Sequence, residues 1–157
     1  MSTNPVTINA PEGVPFIDIT REFDAPVADV FRAHADPELA KQWLGPNGYE
    51  MKVDEYDFKT GGRYRYIHRD PQGEEYAFNG VYHVVRENEF VIQTFEYEGF
   101  PDAVSIESMT LVDLGDGRTR IESHAVYPTL EARDGMVESG METGLREGYE
   151  RLDALLA

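Results

Sequence analysis

Five tight breaks between Glu50 and Tyr127 constrain this chain more than any other feature. They are Thr60-Gly61-Gly62, Asp70-Pro71-Gln72-Gly73, Glu87-Asn88-Glu89, Gly99-Phe100-Pro101-Asp102 and Gly115-Asp116-Gly117, each made of the residues that turns demand. The segments around them have strand length and are predicted at about Glu50 to Phe58, Gly62 to Arg69, Glu75 to Val85, Phe90 to Glu98, Val104 to Leu114 and Arg118 to Tyr127. A parallel crossover needs a dozen or more residues, so connections this short force each segment to pair antiparallel with the next. Upstream, Phe16, Asp18, Thr20 and Glu22 alternate with Ile17, Ile19, Arg21 and Phe23, which predicts one more strand over Phe16 to Phe23. The expectation is a seven-stranded antiparallel meander.

The meander needs a cover. In Glu131 to Leu156 the residues Met141, Leu145, Tyr149, Leu152 and Leu156 recur every three or four positions, which predicts one long amphipathic helix with a single apolar stripe. At 1.5 Å per residue that rod reaches roughly 39 Å, enough to cross a small sheet. Beside the stripe, Gly140, Gly144 and Gly148 form a column spaced by four. Each helical glycine costs about 1 kcal/mol relative to alanine, so the column implies either close packing of helix on sheet or room for a bound molecule.

Between the first strand and the rest, Asp24 is expected to cap a short helix with Pro26 in its first turn and Val27, Val30 and Phe31 on its buried side. Asp36-Pro37 starts a second, carrying Leu39, Ala40 and Trp43 and ending at Gly45-Pro46. Residues 1–15, with Pro5, Pro11, Gly13 and Pro15, read as a flexible lead-in, and 16–157 as a single domain.

Alternation assigns the faces of the sheet. Arg63, Arg65 and Arg69 fall on one side of the pleat and Tyr64, Tyr66 and His68 on the other, so the aromatic side faces the helix. The same test puts Phe78, Gly80 and Tyr82, then Phe95 and Tyr97, then Glu107, Met109 and Leu111, and finally Ile121, Ser123, Ala125 and Tyr127 on the covered face, with His124 outside.

Composition removes several function classes. The chain has no cysteine, and its four histidines lack ligand spacing, so no metal site or metal cofactor is expected. Thirty acidic against fourteen basic residues give a net charge of −16, which repels phosphate backbones and anionic membranes and argues against nucleic-acid binding. No apolar run approaches the roughly 20 residues of a membrane span, and the start lacks a basic, apolar leader. A cytoplasmic protein without membrane insertion is the expectation.

The order of strand, two helices, six strands and closing helix resembles the α+β helix-grip fold of the START-like superfamily, which includes polyketide-cyclase-like proteins. A closer likeness is carried by Phe23-Asp24-Ala25-Pro26 with Val30-Phe31, Asp36-Pro37, Trp43 with Gly45-Pro46, Gly61-Gly62-Arg63, Asp70-Pro71 with Gly73, Phe78 with Gly80, Glu107, Gly117-Arg118-Thr119 and Gly140-Met141. On these residues the chain resembles homologues of the activator of the ninety-kilodalton heat-shock protein ATPase. The resemblance implies a curved sheet wrapped on the C-terminal helix with a deep cavity between them, used across the superfamily for lipids, polyketides and other apolar molecules. At Leu44, His34 and Leu145 this sequence departs from larger aromatics in the family, which enlarges or reshapes that cavity.

The candidate ligand-binding residues are Trp43, Tyr64, Tyr66, His68, Phe78, Tyr82, Phe95, Glu107, Met109, Met141 and Leu145. Trp43 and Phe78 lean toward core, and Tyr64, Tyr66 and Tyr82 toward the cavity, because a buried phenol needs a partner. Glu107 is the sharpest candidate, a carboxylate on the covered face of a middle strand, either hydrogen-bonded to its neighbours or serving as anchor or general base. His68 is its candidate partner in catalysis. No Gly-x-Ser-x-Gly elbow or phosphate-cradling loop supports an enzyme, and no cofactor is implied. Three readings stand: a binder of an apolar or aromatic small molecule, a co-chaperone-like protein whose partner is a heat-shock ATPase, and a cyclase- or hydrolase-type enzyme using Glu107 and His68. A homodimer is a further expected partner state.

Overall fold

The computed structural model describes residues 4–157. Its sheet contains β1 (Thr7–Asn9), β2 (Phe16–Phe23), β3 (Glu50–Tyr56), β4 (Arg63–Arg69), β5 (Glu75–Arg86), β6 (Phe90–Tyr97), β7 (Ser105–Gly115) and β8 (Arg118–Val126). The strands lie in the order β1-β2-β8-β7-β6-β5-β4-β3, with every neighbouring pair antiparallel. The expectation of seven strands is therefore corrected to eight. The additional strand, Thr7–Asn9, pairs with Asp18–Thr20 inside the stretch read as a lead-in; three residues are too few for alternation to announce a strand.

Bulges between Val53 and Glu55, Tyr82 and Val84, and Asp113 and Gly115 bend the ladder, and the sheet is curved and unclosed. Its outer face carries the arginines. Arg65 donates to both carboxylate oxygens of Glu98 at 2.9 Å, and Asn79 joins them at 3.0 Å.

Helices α1 (Val27–Ala35) and α2 (Pro37–Trp43) carry the chain from β2, near one edge, to β3 at the other. Asp36 caps α2 as expected, its carboxylate accepting from Glu38 N at 2.9 Å. Asp24 does not cap α1. Pro26 holds that position without a side-chain bond, and Asp24 accepts from Arg118 Nε at 3.3 Å instead.

The single C-terminal rod is corrected to two helices, α3 (Leu130–Glu138) and α4 (Met141–Leu156). The break is at Gly140, whose φ of 87° lies in the left-handed region that glycine enters without penalty. Helix α4 spans roughly 24 Å at 1.5 Å per residue, and its stripe closes the core through Tyr149 and Leu152. Tyr149 stacks on Trp43 and meets the edge of Phe23, with Arg21 lying over the Phe23 ring and bound to both carboxylate oxygens of Asp153 at 2.6 Å.

The glycine column also has a different partner from the sheet. A Cβ on Gly148 would stand 2.9 Å from the Trp43 carbonyl oxygen, and one on Gly144 3.3 Å from Pro46 Cγ. Both glycines let α4 approach the loop after α2, which Arg151 then grips through the carbonyls of Trp43 and Gly45 and the side chain of Asn47.

Candidate functional site

Between the concave face of the sheet and helices α3 and α4 lies a cavity of about 1390 Å³. All eleven residues singled out in the sequence line it: Trp43, Tyr64, Tyr66, His68, Phe78, Tyr82, Phe95, Glu107, Met109, Met141 and Leu145. They do not play one part. Trp43, Tyr64 and Tyr82 are buried members of the core that back the wall, whereas Tyr66 and Phe78 keep part of their surface open to the hollow. The leaning of Tyr64 and Tyr82 toward the cavity and of Phe78 toward the core is thus reversed.

Tyr64 explains why. Its hydroxyl donates to Thr94 O at 2.6 Å and accepts from Gln93 Nε2 at 3.2 Å, so the phenol needs no ligand. It reaches Thr94 by crossing Gly80, where any Cβ would stand 2.5 Å from the Tyr64 oxygen. Trp43 is likewise satisfied, donating from Nε1 to Ala33 O at 3.0 Å.

The open part of the wall is an aromatic ladder. Tyr66 lies 5.4 Å from Phe78, and Phe78 lies 5.3 Å from both Phe95 and Tyr97, ring centre to ring centre. Register produces it: Tyr66 pairs with Phe78 and Phe78 with Tyr97 across β4, β5 and β6. Met109 on β7 extends this wall, and Met141 and Leu145 on α4 add apolar surface from the helix.

Glu107 stands apart chemically. It lies deep in the molecule yet keeps part of its surface toward the cavity, and its one hydrogen bond among the described residues is a long one, from Ser105 Oγ at 3.5 Å. Burial pushes its carboxyl up to about 7. Gln93 is its cross-strand neighbour and pairs with Tyr82 on the other side. Gln93 carries no charge or ring to mark it in the sequence, although its alternation with Phe95 and Tyr97 places it on the covered face.

His68 and Glu107 are not brought together. Strands β5 and β6 lie between them, which at about 4.8 Å per strand separates their backbones by roughly 14 Å. They are also offset along the strands, because His68 pairs with Tyr76 while Glu107 pairs through Gln93 to Tyr82. His68 packs beneath Gly45 with its Nε2 buried and unpartnered, and burial together with Arg151 pushes it down to about 4, so it is neutral near pH 7. His34 is also held below its ordinary value by burial, and its Nδ1 lies 2.8 Å from Val30 O.

Helix α3 covers one side of the cavity. Thr129 caps it, and its buried Arg133 donates to Pro11 O at 2.9 Å, tying the helix to the segment after β1. Phe100 and Leu130, both lining the cavity and both exposed, mark its mouth. Among the described residues no group of His, Cys, Asp or Glu is arranged to hold a metal ion, and no helix is long and apolar enough to cross a membrane.

Comparison with known proteins agrees with this architecture. The family model for Activator of Hsp90 ATPase homolog 1-like protein matches residues 24–157. Protein Ms6760 from Mycobacterium smegmatis is 29% identical, with a TM-score of 0.86 over 98% of both chains. CV1439 from Chromobacterium violaceum is 27% identical, with a TM-score of 0.78 over 90% of this chain and 96% of that one. A Silicibacter pomeroyi protein named AHSA1, at 21% identity and a TM-score of 0.72 over 90% of this chain and 96% of its own, shares the fold. No curated protein matches the chain. The family match over residues 24–157, on a helix-grip sheet closed by α4, makes this chain a member of the Activator of Hsp90 ATPase homolog 1-like family within the START-like superfamily.

Proposed function

We propose that this protein binds an apolar or aromatic small molecule in the cavity between α4 and the sheet. The observation that carries the reading is the open ladder of Tyr66, Phe78, Phe95 and Tyr97, which lines a hollow of about 1390 Å³ together with an incompletely partnered Glu107 on the adjacent strand. A hollow that size exceeds the usual range of roughly 300 to 1,000 Å³ for drug-sized ligands. Full burial of such a side chain is worth about 1.5 to 3 kcal/mol, and each half-buried ring of the ladder would gain the remaining part of that when a guest fills the space.

The other two readings find less support. A co-chaperone role follows from the family description and no particular side chain carries it. An acid–base enzyme built on Glu107 and His68 lacks its pair, since two strands separate them. Thermal-shift and native mass-spectrometry screens against lipids and aromatic polyketide-like compounds test the binding reading. A ligand at 100 times its Kd adds about 2.7 kcal/mol, a rise in Tm of roughly 5 to 10 °C for a domain this size. Absence of any stabilising compound across such libraries rejects it.

A further inference from the structure

The charges around the cavity select among ligands. Among the described residues that line it, none is lysine or arginine, while Glu107, Glu131, Asp134 and Glu138 are all acidic. Three arginines lie behind the wall, and each is already engaged: Arg21 by Asp153, Arg133 by Asp134 and Pro11 O, and Arg151 by the carbonyls of Trp43 and Gly45. The lining thus presents carboxylates and the electron-rich faces of aromatic rings and offers no fixed positive charge to an anion.

Resting on the reading of this cavity as a ligand site, we infer that its ligand is an organic cation, an amine or quaternary ammonium group on an apolar or aromatic body, with the charge held between Glu107 and the ring faces of β4 to β6.

Three physical effects act in the same direction. A cation within about 6 Å of an aromatic centre is attracted by the ring quadrupole, most strongly where water is excluded. Glu107 supplies a counter-charge that no Lys or Arg lining the cavity neutralises, and Ser105 is its only hydrogen-bond donor among the described residues. The net charge of −16 raises the local concentration of cations around the molecule.

The groups that face Glu107 leave its proton free to answer the ligand. From β4 they are Tyr64 and Tyr66, from the end of β8 Tyr127, from α4 Tyr149, and from β6 the uncharged Gln93; the four phenols are all pushed up by burial and stay protonated. Free Glu107, raised to about 7, is largely protonated at pH 5.5 and largely ionised at pH 8. A bound cation favours the carboxylate, so binding tightens as pH rises through 7 and releases a proton below it.

The test uses three probes in calorimetric titrations at physiological ionic strength. They are (2-naphthylmethyl)trimethylammonium, which cannot lose its charge, its neutral carbon isostere 2-neopentylnaphthalene, and 2-naphthylacetate. At pH 8 the cation should bind at least tenfold more tightly than the isostere, and the acetate more weakly than either. At pH 5.5 the cation's affinity should fall toward the isostere's, by at most roughly 30-fold, the ratio of ionised carboxyl at the two pH values, while the isostere's stays constant. Glu107→Gln should abolish the pH dependence and leave only the small preference that the ring faces supply, and cooperative thermal unfolding of the variant shows that its fold is intact. Equal binding of cation and isostere at pH 8, or a cation preference undiminished by Glu107→Gln, overturns the inference while the cavity reading stands. Failure of all three probes to bind overturns both.

Discussion

Glu107 concentrates the cost that this fold accepts at a single residue. Its carboxyl is raised to about 7 in the folded chain against an ordinary 4.5, so the folded chain keeps a proton that the unfolded chain has released. The stability this group contributes is therefore fully present below about pH 4.5 and is lost as pH rises to 7. His68 runs the other way. Lowered to about 4 from 6.5, it leaves stability intact above pH 6.5 and removes it as pH falls toward 4. Glu107→Gln should raise stability at pH 8 by about 3 kcal/mol, with the gain vanishing near pH 4, where the parent's carboxyl is already protonated. Urea unfolding across that range checks it, and a constant difference at every pH would contradict it. Such gains are expected when a residue kept for binding is removed. At this scale much of the site was legible in advance. Strict alternation on β4 and β7 put Tyr66 and Glu107 on the covered face, but alternation specifies a face and not a neighbour. It therefore could not tell that Tyr64 finds Thr94 O across Gly80, or that His68 and Glu107 stand in different registers.

The helices illustrate how one residue type carries two messages. Gly140, Gly144 and Gly148 share a spacing of four and read as one column, yet they do different work. Gly140 has positive φ and ends one helix before another begins, a signal the Ser139-Gly140 dipeptide carries and the regular spacing obscured. Gly148 allows contact with the Trp43 carbonyl, and Gly144 borders Pro46 less tightly. Alanine gains about 1 kcal/mol over glycine in a helix, which decides the sign at each position. Gly144→Ala should be neutral or slightly stabilising, because Pro46 Cγ can yield a few tenths of an ångström. Gly148→Ala should destabilise by about 1 to 2 kcal/mol, because its Cβ would press on backbone oxygen 2.9 Å away. Denaturant midpoints of the two variants measure the contrast, and equal effects would contradict the assigned contacts. The strands were legible to within two residues at their ends because their breaks are short and chemically distinct. The strand Thr7–Asn9 was not, since its three residues gain their conformation from pairing with β2 rather than from local preference.

At the scale of the whole molecule, the curved sheet and α4 meet over a core that runs from Phe23 through Trp43 and Tyr149 to Leu111 and Ile121, and they diverge over the cavity. Order of elements was enough to anticipate that arrangement. The volume left between them was not, because it depends on the break at Gly140 and on where α3 settles. On the proposed reading this space accepts a guest. Titration with a neutral apolar dye such as Nile red, followed by fluorescence and compared between the parent and Leu145→Trp, tests it most directly. Leu145 lines the cavity from α4, and tryptophan there fills space a guest would need. Saturable enhancement at one dye per parent chain is expected, with its loss in a variant whose thermal unfolding remains cooperative. No enhancement in the parent, or the same enhancement in the filled variant, would contradict it.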